Sequence, residues 1–365
     1  MNKFASFTSK ETLNISQKIT TNRQIVLKSR PIGLPVLADF NLVESATPTP
    51  SKGQMLLRTL YLSLDPYMRG RMSDAESYAP SILLNEVIVG ATVSIVEASL
   101  NDDYQTGDFV LSANGWQEYA LSDGKGLIKL SNDITQFSLN LGILGMPGFT
   151  AYMGLLDIGQ PKSGETVVVA AASGAVGAVV GQIAKITGCY VIGIAGGKDK
   201  CLYVKNELGF DICIDHQSEE FAQQLTNACS TNENRGIDVY FESVGGKVFD
   251  AVLPLLNTKA RIPVCGLISS YNSTNLLPGP DRLGLLESIL LRKRIKMQGF
   301  IIFDDYGSRY PEFLKQMNAW IEQDKIKFLE DITEGLENAP QAFIGMLKGD
   351  NFGKTIVQVS TLNSQ

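Results

Sequence analysis

The stretch AASGAVG, ending at Gly177, has the spacing of a G-x-G-x-x-G fingerprint with Ala172 in the first glycine place. Gly174 lets a backbone approach a pyrophosphate, and Gly177 lets a helix pack closely on a strand. Ala175 and Val176 open a helix whose unpaired amides and positive dipole end favour phosphate. Glycines that serve only a tight turn are the alternative. About 20 residues further on, an Asp or Glu usually accepts the ribose hydroxyls of NAD. Here the chain reads AGGKDK, with Gly196 and Gly197 followed by Lys198 and Lys200. A 2′-phosphate would be repelled by a carboxylate, tolerated by glycine and attracted by lysine, so the stretch predicts NADPH over NADH. The competing reading is that the lysines only begin a solvated helix. His216, in IDHQ, could reach the same phosphate with one hydrogen bond and, when protonated, a charge; a surface histidine without a role is the alternative.

Two tyrosines could donate to a developing negative charge. Tyr271 lies in GLISSYN and Tyr67 in DPYMRG. A loop tyrosine that only packs, and a structural tyrosine after Pro66, are the competing readings. Asp65 and Arg69, four residues apart, read as a local ion pair.

Composition narrows the field. A chain of 365 residues is long enough for two compact units. With 44% hydrophobic and 19% charged residues, and no apolar run near the roughly 18 to 20 residues of a spanning helix, it reads as soluble with no membrane partner. The polar opening residues read as a flexible leader over 1–23 rather than a secretory signal, with an organellar presequence as the alternative. A formal net charge of −6 argues against nucleic acid as a partner, and the short run RKRIK reads as a solvated strand entrance. Five cysteines without a C-x-x-C pair suggest reduced thiols in a cytoplasmic protein. A single histidine excludes a His-based zinc site and most Ser-His-Asp hydrolases.

The elements that must position these groups fall into two kinds. From Gln24 to about Leu130 short β-rich segments alternate with turns, which predicts a mostly antiparallel barrel or sandwich. From about Met146 the rhythm becomes strand, helix, strand. Strands are predicted at Thr166–Ala172, Tyr190–Ala195, Ile212–Ile214, Asp238–Glu242, Arg261–Cys265 and Ile295–Ile302. Helices are predicted from Ala175 to Thr187, Lys200 to Leu208, Glu219 to Cys229, Lys247 to Leu256, Gly284 to Leu291 and Tyr310 to Gln323. Such alternation predicts an α/β fold with a doubly wound parallel sheet. The tail from Lys327 reads strand, helix, strand and should return to the N-terminal unit, because the parallel sheet has no partners left for it. The expected division is 24–145 with 324–365 for one domain and 146–323 for the other, with the site in the cleft between them.

Long motifs support a resemblance: SLDPYMRGRMSD, LGILGMPGFTAYMGLLDIGQPKSGETVVVAAASGAVG, AGGKDK, FESVGGKVFDAVLPLLNTKARIPVCGLISSYN, LLPGPDR and LENAPQAFIGMLKGDNFGKTIV. Through them the chain resembles, from about Gln24 to Val359, the zinc-free branch of the medium-chain dehydrogenase/reductase superfamily, in its prostaglandin reductase and curcumin reductase group. The Gly-His-Glu pattern of the zinc branch is missing from VIVGATVSIV. The resemblance implies a GroES-like β-barrel domain, a Rossmann domain, a homodimer joined through Rossmann edge strands, and NADPH-dependent reduction of the carbon–carbon double bond of α,β-unsaturated ketones or aldehydes. It further implies that Gly174 to Gly177 meet the pyrophosphate, that Gly197 and Lys200 meet the 2′-phosphate, and that Cys265, Gly266, Leu267, Ile268, Ser269, Ser270 and Tyr271 line the nicotinamide. Phe300, Ile301, Ile302 and Asn351 would complete the pocket. Two departures stand out: prostaglandin reductases carry Tyr at the position of His216, and Asn at that of Ser243. In such a reaction hydride enters at the β-carbon and charge appears on the carbonyl oxygen, where Tyr271, then Tyr67, would donate. A quinone reductase of the same superfamily and a nucleotide-binding protein with vestigial activity are the other readings open to this sequence.

Overall fold

The runs TVVV, YVIGIA and IDVYF are rich in β-branched residues without polar alternation, the pattern of strands covered on both faces. A computed structural model of the protein, describing residues 21–131, 136–231, 235–274 and 282–362, shows them at the centre of a six-stranded parallel sheet. In spatial order its strands are Ile212–Asp215, Tyr190–Ala195, Thr166–Val169, Ile237–Phe241, Leu256–Val264 and Lys296–Gly299. The chain order therefore reverses between Thr166–Val169 and Ile237–Phe241, and the C-terminal ends on either side of that switch point frame a crevice. Phe149, Phe313 and Met317 cover one face, while Phe221, Leu225 and Ile289 cover the other.

Boundaries differ from expectation where local chemistry intervenes. The last strand ends at Gly299 rather than Ile302, because the helix Ile302–Tyr306 begins there and Asp305 accepts the amide of Ile301 at 2.8 Å. The helix Gly246–Val252 gives way to a 3-10 turn holding Pro254, which has no amide to donate, and Leu256–Val264 opens as a strand well before Arg261. The helix after the glycine turn is Gly177–Ile186, and the helix expected from Lys200 begins at Lys198.

The other large sheet has seven strands, as the GroES-like resemblance leads one to expect of a β-rich N-terminal unit. Met55–Ser63 is its hub, pairing with Thr92–Ser99, Tyr119–Ser122 and the tail strand Lys354–Gln358. Glu330–Glu334 joins that tail strand in parallel. Thr21–Leu27 opens three residues before Gln24 and pairs with Phe40–Ala46, a strand absent from the sequence reading because only Phe40 in it is buried. The expected leader lies outside the described residues up to residue 20, as does LLPGPDR up to residue 281. Among the described residues, no helix is long and apolar enough to cross a membrane.

Candidate active site

Beyond Val169 the chain turns sharply. Ala171 takes a positive φ of 48°, and Gly174 donates to its carbonyl at 2.9 Å. A Cβ on Gly177 would lie 2.4 Å from that same oxygen, so the helix can approach the strand only with glycine there. Ser243 Oγ donates to Ala170 O at 3.4 Å, which brings the FESVGG turn alongside. From the other domain, Gly353 forms a single parallel bridge with Gly174, and Asn351 Nδ2 donates to Gly353 O at 2.9 Å. Gly174, Ala175, Tyr203, Phe328, Gly353 and Lys354 thus share one concavity between the two sheets.

At the end of Tyr190–Ala195, Asp215 shapes the Gly196–Gly197 turn. Its carboxylate accepts the amides of Gly197 and Gln217, both at 2.9 Å. Burial pushes its pKa up, but the amide bonds outweigh this and hold it below the usual carboxylate value. Gly197, at φ 91°, starts the helix that carries Lys200. Lys200 Nζ donates to Gly349 O at 2.6 Å, at the end of the tail helix Ala339–Lys348, and burial lowers its pKa although Asp350 and Asp331 act against the change. His216 stands beside Gly196, where an added Cβ would come 3.0 Å from Nε2, and its Nδ1 is buried without a hydrogen-bond partner. Burial first, then the nearby Lys247 cation, push the imidazole below its ordinary pKa, so at neutral pH it can offer a hydrogen bond, and not the charge that protonation would add.

The loop after Leu256–Val264 folds on itself. Ile268 and Ser269 donate to the carbonyls of Ser243 and Val244 at 3.2 and 3.0 Å. The Tyr271 oxygen accepts the Leu267 amide at 3.3 Å and would lie 3.0 Å from a Cβ on Gly266. This leaves the phenolic hydrogen free to donate elsewhere. Burial raises the Tyr271 pKa despite that amide, and burial with Asp65 nearby raises that of Tyr67, so both phenols stay protonated at neutral pH. Cys265 is pushed up to about 12 by burial, which keeps it an unreactive thiol. Phe300 and Ile302 turn their side chains into the core, and the Ile301 amide is taken by Asp305.

Sequence reasoning missed three participants. Tyr78, in the SDAESYAP loop, lies close enough to interact electrostatically with both Tyr67 and Tyr271, and Arg71 lies close to Tyr67 and Tyr78. Glu242 is buried and accepts the amides of Val244 and Gly245 at 2.7 and 2.8 Å, which shapes the SVGG turn. The expected Asp65–Arg69 pair does not form. Asp65 instead holds the buried Lys354 ammonium at 2.9 Å, while Arg69 faces backbone carbonyls and Asn272.

Family models match the N-terminal domain of oxidoreductases over residues 23–130 and a zinc-binding dehydrogenase domain over residues 175–319. The chain is 60% identical to the NADPH-dependent curcumin reductase of Escherichia coli, over 95% of this chain and 99% of that protein. It is 42% identical to prostaglandin reductase 1 of Rattus norvegicus, over 91% and 97% of the two lengths. This chain belongs to the zinc-independent medium-chain dehydrogenases/reductases, in their curcumin and prostaglandin reductase group. The solved structure of CurA in complex with NADPH from Vibrio vulnificus matches the reductase with a TM-score of 0.90 and 60% identity, covering 93% of this chain and 99% of that one. Among the reductase's described residues no group of three or more His, Cys, Asp or Glu could hold a metal ion. A dinucleotide does fit the residues present: the glycine turn at Gly174 to Gly177 at the head of a helix, the Gly196–Gly197 turn beside Lys200, where Asp215 is engaged by the Gly197 and Gln217 amides, and the buried Nδ1 of His216, which has no hydrogen-bond partner among the described residues.

Proposed function

We propose that the reductase uses NADPH to reduce the carbon–carbon double bond of α,β-unsaturated ketones and aldehydes. Gly174 to Gly177 hold the pyrophosphate, Lys200 with Gly197 and His216 hold the 2′-phosphate, and Ser243, Cys265 to Tyr271 and Asn351 surround the nicotinamide end. NADPH, when bound, supplies the hydride that the β-carbon accepts, which leaves charge on the substrate's carbonyl oxygen. Tyr271 meets that oxygen with its free phenolic hydrogen, and Tyr67 is the second donor. The observation that carries this reading is the Leu267 amide on the Tyr271 oxygen: it fixes the phenol and leaves only its hydrogen to give.

The GroES-like strands and the tail supply the substrate side, with the division at 24–145, 146–323 and 324–365. A homodimer is supported by the edge strand Lys296–Gly299, which has no outer neighbour among the described residues and exposes Met297. Five free cysteines support a reducing compartment such as the cytoplasm.

The test is a panel of enones and alkenals followed for NADPH and for NADH oxidation. The specificity constant with NADPH should exceed that with NADH by at least about tenfold, as one phosphate–lysine contact would supply. Equal use of both cofactors would sink the assignment of the glycine–lysine turn.

A further inference from the structure

Arg69 is only 5% exposed, yet among the described residues no carboxylate bonds its guanidinium. Its Nε and Nη2 donate to Gly33 O at 3.3 and 2.8 Å, Nη2 also to Pro31 O at 3.1 Å, and Nε to Asn272 Oδ1 at 3.1 Å. Three segments distant in sequence therefore meet on one planar fork: the helix Tyr67–Arg71, the turn at 31–33 and the loop that ends the nicotinamide side. Only the last belongs to the Rossmann unit. The backbones converge too, since a Cβ on Gly33 would lie 3.9 Å from Asn272 O. Asn272 follows Tyr271 directly, and it is half-buried. A guanidinium suits this place because its donors point in fixed directions, whereas a lysine would offer one freely rotating point charge.

We propose that Arg69 is a positioning residue for the reduction: through Asn272 it fastens the loop carrying Tyr271 to the substrate domain, and so sets where the phenol meets the carbonyl oxygen. The inference rests on Tyr271 being the donor. Loss of the fastening lets the loop shift against the other wall of the cleft, and a displacement on the order of 1 Å at a reacting group costs up to about a hundredfold in rate.

Asn272 variants test this without disturbing the buried cation's carbonyl contacts. Asn272→Ala should lower kcat for an enone about tenfold while NADPH affinity, followed by nicotinamide fluorescence, changes less than about twofold. Asn272→Asp keeps an acceptor oxygen for Arg69 and should stay within about threefold of the parent rate. In a Tyr271→Phe background, Asn272→Ala should cost less than about twofold more, because the group it positions is already gone. Arg69→Lys, where it folds, should behave like Asn272→Ala. A parent-like rate in Asn272→Ala would overturn the proposal, and so would a full tenfold loss in the Tyr271→Phe background. A parent-like rate in Tyr271→Phe alone would remove the donor reading itself, and with it the group that Arg69 is proposed to place.

Discussion

Burial shifts Tyr271 and Lys200 in opposite directions, though both lose their proton on the alkaline side. Burial raises the tyrosine above its ordinary 10, so its hydrogen is present at neutral pH and is lost only as pH climbs through the raised value. Burial lowers the lysine below 10.5, so its charge is present at neutral pH and fades sooner on the alkaline side. At saturating NADPH, kcat should therefore stay flat from about pH 7 to 9, within reach of neither loss for a raised phenol. The specificity constant for NADPH should fall as pH rises towards the lowered lysine pKa. Lys200→Ala should remove that alkaline fall and leave a low, level profile; an unchanged slope in the variant would assign it to another group. His216, neutral at pH 7, adds no charge for the fall to report.

At the scale of elements, the glycines decide how closely helix and strand approach. Gly181 faces the ring of Phe210, and a Cβ there would come within 1.8 Å of it. Gly181→Ala should cost about 1–3 kcal/mol in urea unfolding, because the ring is buried and has little room to retreat. An unchanged midpoint would mean that the helix Gly177–Ile186 slides freely on the sheet. These glycines also explain what the sequence made legible. TVVV followed by a glycine turn and an apolar helix carries its own geometry, so the parallel sheet, its crossovers and the sharp glycine turn could be read directly. Phe40–Ala46 could not, since a strand with one buried side chain has no periodic signal. Nor could Tyr78, Glu242 or Arg69, whose partners lie far away in sequence. Asp65 shows the limit well: four residues from Arg69, it is paired instead with Lys354, 289 residues away.

For the whole molecule, the tail stitches the two units together. Lys354 is buried, donates to Leu64 O at 2.7 Å and to Asp65 at 2.9 Å, and follows Gly353, which bridges to Gly174. Tyr203 and Phe352 meet edge to face across the same seam, with ring centroids 5.0 Å apart. The glycine turn at Gly174, the Lys200 helix and the turn that carries Tyr67 therefore share one support. On the proposed assignment cofactor and substrate sides meet at fixed positions, which is what hydride transfer to one carbon of a conjugated system demands. The most direct measurement is the product formed from an enone and NADPH deuterated at its transferable position. The reductase should yield the saturated ketone with deuterium on the former β-carbon. An allylic alcohol with deuterium on the carbinol carbon would contradict the account.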